Sequence, residues 1–182
     1  MAGLASPLTT AEEQRLIQRV LLASDERAFG DLTHPYLPRL RGYLRGLSGS
    51  DSDADDLMQT TLIKCWQQLT SFDHKGRFVA WLFKVAHNEF LQWLRARKRY
   101  VGALDKMATE VGQSVQSGDA AAAALDVAGI LSTLPEDARA ALVLSRGVGL
   151  SHAEIALAMD KPLGTVKSLV NRATQEVVNR YG

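Results

Sequence analysis

Charged side chains in this 182-residue chain gather into two local clusters of opposite sign. The first cluster holds four carboxylates: Asp51, Asp53, Asp55 and Asp56. The second cluster holds four cations: Arg95, Arg97, Lys98 and Arg99. Carboxylates in the first turn of a helix stabilise its N-terminus and leave an anionic surface for a basic partner. Clustered cations can neutralise phosphates, so the pattern predicts separate partners of opposite charge.

A polar stripe leads into the cationic cluster. Its members are spaced four, four, three and four residues apart: Lys84, Asn88, Gln92, Arg95 and Arg99. This spacing places them on one face of a helix, where they can follow the phosphates of a nucleic-acid strand. The alternative is a solvated amphipathic face without a nucleic-acid partner. A run of charges, taken alone, favours this alternative.

The turn Ser71–Phe78, in front of this helix, combines aromatic rings, a glycine and cations. Rings offer a stacking face and exposed amides offer hydrogen bonds, which is the chemistry needed to capture an unstacked base. The alternative is a capped loop whose phenylalanines pack in the core. Phe72 and Trp81, each taken alone, favour that core role.

Two short helices with a tight turn between them are predicted near the C-terminus. Ser151 and Glu154 form a capping box for the first helix, and Pro162 suits the first turn of the second. Apolar residues recur every three or four positions from Leu163 to Val177. The opposite face is polar and basic: Lys167, Ser168, Asn171, Arg172 and Gln175. The pattern is typical of a helix-turn-helix, whose second helix enters the major groove; a helical hairpin with a solvated face is the alternative.

The elements that position these residues are predicted to be helices. Helical spacing recurs along the chain and strand signals are nearly absent, so the expected fold class is all-α. The expected N-terminal helices include 11–23, 54–69 and 78–99. Thr10 and Glu13 are expected to form the capping box of the first of these helices.

A break in the helical pattern divides the chain. Periodicity lapses over 101–118, which contains three glycines and indicates a flexible linker. Two small helical domains are therefore predicted, 1–100 and 119–182. The 18 linker residues can span up to ~60 Å when extended, enough to let the domains bind separated sites on one duplex.

The composition excludes several classes of protein. Lys and Arg number 21 against 20 Asp and Glu, and 46% of residues are hydrophobic, which is ordinary for a folded chain. Cys65 is the only cysteine, so an intramolecular disulfide and a zinc site of paired thiolates are impossible. Histidines are scattered and a glycine-rich phosphate loop is lacking, so no catalytic residue, metal, cofactor or small-molecule substrate is predicted. The sequence lacks a membrane-spanning run and a secretion signal, which predicts a cytoplasmic protein.

Four short motifs occur in order along the chain: Asp53–Gln59, Arg77–Asn88, Ser151–Ala156 and Gly164–Ser168. In order and spacing they resemble bacterial RNA polymerase sigma factors of the extracytoplasmic-function (ECF) type. The resemblance implies that 1–100 binds core RNA polymerase and the promoter −10 element, and that 119–182 is a helix-turn-helix for the −35 element. It covers nearly the whole chain.

The same resemblance implies roles for individual residues. Contacts to the clamp helices of the largest polymerase subunit are expected from Asp53, Asp55, Asp56 and Gln59. Contacts to the −10 element, whose melted strand the protein stabilises, are expected from Phe72, Lys75, Arg77, Lys84, Asn88, Gln92, Arg95, Arg97, Lys98 and Arg99. Contacts to the double-stranded −35 element are expected from His152, Thr165, Lys167, Ser168, Asn171 and Arg172.

Regulation by an anti-sigma factor is also implied, often one tethered to the membrane and covering both domains. Four residues depart from the usual family pattern: His87, Gln92, Leu169 and Thr174. A free-standing helix-turn-helix regulator is the alternative function, but it leaves the acidic cluster and the polar stripe unexplained together. An all-α enzyme is a third alternative, without residues to support it.

Overall fold

A computed structural model describes residues 8–72, 77–111 and 127–181, and over these residues the chain forms α-helices and no strands. The prediction of an all-α fold is therefore confirmed. The α-helices of the described residues are α1 Thr10–Ala23, α2 Glu26–Thr33, α3 Leu37–Ser48, α4 Asp51–Gln68, α5 Phe78–Val111, α6 Val127–Ser132, α7 Glu136–Leu142, α8 His152–Met159 and α9 Leu163–Tyr181.

Helix α1 begins one residue earlier than predicted. Thr9 and Glu12 form its capping box: the Thr9 amide donates to Glu12 Oε2 at 2.8 Å, and the Glu12 amide donates to Thr9 Oγ1 at 3.3 Å. The predicted box of Thr10 and Glu13 was wrong, because the Glu13 side chain is turned into the protein, with only 5% exposure. There it accepts a hydrogen bond from the Tyr36 hydroxyl at 2.6 Å.

Glu13 also connects α1 to the start of α5. Its Oε2 accepts a hydrogen bond from the Phe78 amide at 3.4 Å, so a carboxylate lies at the N-terminus of the helix. This placement satisfies one backbone donor that the first turn of a helix leaves unpaired, and it favours the helix dipole. Burial, together with the bond to Glu13, raises the pKa of Tyr36.

Helix α5 is longer than predicted. It runs to Val111, so residues 101–111 of the predicted linker are helical, and the expected end near Arg99 was wrong. Strong helix formers, including Ala103, Lys106 and Ala108, outweigh the single glycine at 102. Residues 112–118 of the predicted linker lie outside the described residues.

The C-terminal helices form the predicted helix-turn-helix. Ser151 and Glu154 make the expected capping box of α8, and Asp160, directly after the helix, has the left-handed conformation, with φ of 51°. Helix α9 then packs its apolar face inward through Val166, Val170 and Ala173, each no more than 3% exposed. Helix α7 continues directly into a π-helical segment, Val143–Val148.

The N-terminal helices α1–α5 and the C-terminal helices α6–α9 pack against each other. Helix α8 lies along α5, and α3 contacts α6, α7 and the π-helical segment, so one core is shared by both groups. Polar contacts support this packing: the Arg139 guanidinium donates to the Leu47 carbonyl at 3.2 Å, and Lys98 lies 2.7 Å from Glu136. Sequence periodicity did not predict this closed arrangement.

Within the part of the chain that the structure describes, no helix is both long and apolar enough to cross a membrane. The same residues contain no group of His, Cys, Asp and Glu side chains placed to hold a metal ion.

Candidate nucleic-acid and polymerase interface

The four carboxylates near the start of α4 have different surroundings. The helix begins at Asp51, three residues earlier than predicted, because the Ser50 hydroxyl accepts a hydrogen bond from the Asp53 amide at 3.3 Å. Asp55 accepts two hydrogen bonds from Arg41, at 2.6 and 3.1 Å, and these bonds lower the pKa of the Asp55 carboxyl. Arg41 is also 3.0 Å from Asp51.

The side chains of Asp56 and Gln59 are exposed on α4, without an ion pair or side-chain hydrogen bond within the described ranges, and Asp56 borders the groove between α4 and α5. Asp53 is partly buried and lies 3.2 Å from Arg97, which links α4 to the end of α5. Of the predicted polymerase contacts, Asp56 and Gln59 are thus the most available. Asp53 and Asp55 are engaged with cations of the chain itself.

The polar residues of α5 do form one exposed stripe, here called the α5 stripe, as predicted: Lys84, Asn88, Gln92, Arg95 and Arg99. At its N-terminal end, Lys84 and Asn88 line a groove of about 580 Å³ that also contains Leu157 of α8. At its C-terminal end, Arg95 and Arg99 line a second groove, of about 500 Å³, between α4 and α5. The stripe therefore connects two concave surfaces.

Not every predicted −10 contact lies on this surface. Phe72 is only 7% exposed, because its ring packs against Phe78 and Trp81 with centroids 6.1 and 5.7 Å away. The ring is thus part of the core, and it borders the first groove without forming an open stacking face. Lys75 lies outside the described residues. Arg77 is exposed and lies 3.4 Å from Glu154 of α8.

Two of the four clustered cations are exposed without an ion pair among the described residues, and the other two form ion pairs within the chain. Arg95 and Arg99 are exposed and face the second groove. The Arg97 guanidinium lies 5.1 Å from the centroid of the Trp93 ring, in a cation–π contact, and also pairs with Asp53. Lys98 pairs with Glu136 of α7. Arg95 and Arg99 are therefore the cations most available to phosphates.

Helix α9 presents its polar residues to solvent, as the amphipathic pattern predicted. The exposed members are Thr165, Lys167, Ser168, Asn171 and Arg172. Arg172 Nε donates to the Ser168 carbonyl at 3.3 Å, which orients the guanidinium and leaves its two terminal nitrogens for an outside acceptor. His152 is half-buried in the first turn of α8.

Two polar residues of α5 are buried, and sequence reasoning missed their function in the fold. Glu89 is 7% exposed and lies 2.6 Å from Lys64 Nζ, which links α5 to α4. His87 is 3% exposed, and its Nδ1 lies 2.9 Å from the Tyr43 hydroxyl of α3. Both lie in a helix with a clear polar face, but their partners are distant in sequence, so periodicity could not identify them.

We expect the packed protein to lose stability as the pH falls from 6.5 towards 4. Burial lowers the pKa of His87 from 6.5 to about 4; the charge of Asp137 opposes this shift, and the charge of Lys161 adds to it. The folded protein thus holds His87 neutral, so its contribution is complete above pH 6.5 and is lost below it, by about 2 kcal/mol at pH 5.

The measurement is thermal unfolding of the wild type and His87→Gln at pH 7 and pH 5. Glutamine can keep a hydrogen bond to Tyr43 but does not titrate, so the variant should lose this part of the pH dependence. The other titrating groups are common to both proteins and supply the control. An identical pH dependence in the two proteins would contradict the assignment.

Comparison with known proteins places this geometry in a family. Residues 32–100 match the family model for Sigma-70 region 2, and residues 124–177 match the model for Sigma-70, region 4. The ECF RNA polymerase sigma factor EcfG of Rhodopseudomonas palustris is 33% identical over 141 residues, which cover 78% of each chain. The RNA polymerase sigma-H factor of Pseudomonas aeruginosa is 30% identical, over 93% of this chain and 94% of that protein.

Solved structures agree with these matches. The sigma factor RpoE of Bartonella quintana, determined in complex with the anti-sigma factor NepR, matches with a TM-score of 0.66 and 31% identity, over 81% of this chain and 94% of that chain. CnrH, determined with the cytosolic domain of CnrY, shares the fold with a TM-score of 0.67 and 24% identity, over 93% and 94% of the two chains. The chain belongs to the family of ECF RNA polymerase sigma factors.

Proposed function

We propose that this chain binds core RNA polymerase and directs transcription initiation to promoters by reading a −10 and a −35 element. The observation that carries the proposal is the coexistence of two exposed polar helix faces, the α5 stripe and the outer face of α9, in one chain of this family. One face suits a melted strand and the other suits a duplex groove. The protein supplies recognition, and the polymerase supplies the chemistry.

In this proposal α4 binds the polymerase through the exposed side chains of Asp56 and Gln59. Asp55 adds negative charge to the same surface, although Arg41 shares it. Asp53 acts indirectly, because it orients Arg97. An anionic patch of this kind favours a basic partner surface and accelerates encounter.

The −10 element is proposed to follow the α5 stripe. Arg95 and Arg99 would neutralise phosphates, and Asn88, in the first groove, offers both a donor and an acceptor to an unstacked base. Arg77 and Lys84 border the same groove and add positive charge. Phe72 supports the groove from the core and is not proposed as a stacking platform.

The −35 element is proposed to lie against α9. Lys167, Ser168, Asn171 and Arg172 would reach base edges, since they occupy the exposed face near the N-terminal end of the helix. Thr165 and His152 lie at the starts of α9 and α8, where contacts to phosphates are common.

Replacing Lys167 or Arg172 with alanine should weaken discrimination of the −35 element by about tenfold, because a well-placed base contact contributes ~1.4 kcal/mol or more. Binding of core polymerase should stay unchanged. Competition between specific and mutated −35 duplexes for the holoenzyme measures the effect. Asn179→Ala, an exposed change farther along the same helix, is the control, and equal losses on both duplexes would indicate a phosphate contact instead.

We propose that the two helix groups bind different partners. Residues 1–100 would bind the polymerase and the −10 element, 119–182 the −35 element, and 101–118 would connect them. Helix α8 packs on α5, and Leu157 borders the groove next to Asn88. We therefore propose that the helix groups separate before both DNA elements are bound.

We also propose regulation by an anti-sigma factor. A solved relative with 31% identity is described in complex with the anti-sigma factor NepR, which supports the class of partner. In the closed arrangement α8 packs against α5. A single inhibitor could therefore cover both the α5 stripe and α8. Co-expression with candidate inhibitors and loss of holoenzyme formation would test this.

The experiment for the main proposal is run-off transcription with core polymerase on genomic templates. A start-site-specific transcript that depends on the protein is expected. Tight binding to operator duplexes without polymerase, with no association with the core enzyme, would favour the free-standing regulator instead. Mobility-shift and co-elution assays distinguish the two.

A further inference from the structure

A buried ion pair lies beneath the middle of the α5 stripe. The Glu89 side chain is 8% exposed, and its Oε1 is 2.6 Å from Nζ of Lys64 on α4, whose side chain is 32% exposed. A buried carboxylate needs a compensating charge, and Lys64 lies close enough to supply it. Neither residue is exposed enough to be a main DNA contact.

The same carboxylate oxygen holds the side-chain amide of Gln92. Gln92 Nε2 donates to Glu89 Oε1 at 3.3 Å, across one turn of α5. A charged carboxylate only accepts hydrogen bonds, so it can hold the amide by its NH₂ group and not by its carbonyl. Gln92 Oε1 is thereby left without a partner among the described side chains, on an exposed residue of the α5 stripe.

We propose that Lys64 and Glu89 are positioning residues that hold the Gln92 amide with its carbonyl oxygen towards DNA, so that one promoter position prefers adenine or cytosine. The inference rests on the proposed function and deepens it, because it assigns a base preference to one residue of the α5 stripe. The three side chains act in series: Lys64 fixes Glu89, and Glu89 fixes Gln92.

The chemistry of the base edges gives the preference. Adenine and cytosine carry exocyclic amino groups, N6 and N4, that donate to an outward carbonyl oxygen. Thymine O4 and guanine O6 are acceptors at the corresponding positions, and two facing acceptors repel. A freely rotating glutamine would satisfy either kind of edge, so selectivity requires that the amide be held.

The test is transcription by the reconstituted holoenzyme from a template library that carries each base at each −10 position. Gln92→Ala should reduce the preference for adenine or cytosine at one position by about tenfold, and this identifies the position. Glu89→Gln should reduce the preference at the same position to within about twofold of equality, because a neutral amide accepts and donates and lets Gln92 rotate. Glu26→Gln, an exposed change on α2, should have no effect.

Exchange of the two groups gives a sharper result. In Glu89→Gln/Gln92→Glu, the carboxylate at position 92 presents an acceptor in either orientation while the amide at 89 still donates to it. The preference for adenine or cytosine should therefore return. This double variant retains a donor–acceptor pair, so it carries the test even if Glu89→Gln alone unfolds, which thermal unfolding reports.

Two outcomes would overturn the inference. Gln92→Ala could change no position, or Glu89→Gln could leave the preference at the Gln92 position intact, with or without slowing transcription equally on all templates. The last result would mean a purely structural role for the ion pair. Failure of the wild-type holoenzyme to initiate at any defined site would instead contradict the proposed function.

Discussion

Charge reversal at Asp55 and Asp56 should weaken binding of core RNA polymerase by about 100-fold, ~2.8 kcal/mol. Both side chains are exposed on α4, and the polymerase surface that they are proposed to meet is basic. Each lysine in place of aspartate exchanges an attraction for a repulsion across the interface. Fluorescence titration of core polymerase with labelled Asp55→Lys/Asp56→Lys protein measures the loss.

The single variant Asp56→Lys distinguishes an effect on polymerase binding from an effect on the stability of the fold. Asp55 also pairs with Arg41, so its replacement removes an internal contact, whereas Asp56 has no ion pair within the described part of the chain. The single variant should lose about tenfold in affinity with unchanged thermal stability. Glu26→Lys/Asp31→Lys changes two exposed acidic residues of α2 by the same total charge and should bind normally.

A normal affinity of the folded Asp55→Lys/Asp56→Lys protein would remove the acidic cluster from the polymerase interface. Its remaining role would be to stabilise the N-terminus of α4, where Asp51 and Asp53 lie in the first turn. Salt dependence gives an independent check. The wild-type affinity should fall with increasing ionic strength more steeply than that of the variant.

The sequence could predict the exposed faces because burial itself creates the pattern. In α9, Val166 and Val170 recur on the side that packs inward, and Lys167 and Asn171 then necessarily face outward. The helix-turn-helix was predicted for the same reason. Its capping box at Ser151 is a local interaction between residues three apart, so a short window of sequence contains it.

The sequence did not predict which residues form the capping box of α1, because two neighbouring pairs fit the motif equally well. Thr9 with Glu12 and Thr10 with Glu13 both fit a capping box, and the sequence alone ranks neither first. The decision comes from elsewhere in the fold, because the buried Tyr36 hydroxyl binds the Glu13 carboxylate. A tertiary contact 23 residues away therefore sets the first residue of α1.

Polar residues with distant partners were missed for a related reason. His87 and Glu89 occur in a helix with an evident polar stripe, and helical spacing does not distinguish a polar residue that is exposed from one that is paired and buried. Their partners, Tyr43 and Lys64, are 44 and 25 residues away. Phe72, at 7% exposure, is part of the core, which is the role that the residue taken alone favours.

The packing of the two helix groups depends on a glycine of α3. A Cβ added at Gly46 would lie 3.4 Å from Leu131 and 3.5 Å from Val143, both in the C-terminal helices. These distances leave room for a single carbon and none for a larger side chain. A Cβ at Gly42, one turn earlier on the same helix, meets nothing within 4 Å.

Gly46→Leu should therefore open the protein and increase its capacity to form holoenzyme. Overpacking costs ~2 kcal/mol in a well-packed contact. Because the open form is proposed to be the one that binds core polymerase, its fraction and the apparent affinity should rise by up to about 30-fold. The radius of gyration, ~16 Å for a compact chain of 182 residues, should increase in small-angle scattering. Gly42→Leu makes the same chemical change in open space and should stay compact, which controls for the helix propensity gained by replacing glycine.

A Gly46→Leu protein that opens in scattering but binds polymerase no better would show that closure does not compete with holoenzyme formation. If it stays compact, the contact at Gly46 does not hold the helix groups together. An increase in both radius and affinity that is confined to Gly46→Leu is the expected result, because only that side chain must displace Leu131 and Val143.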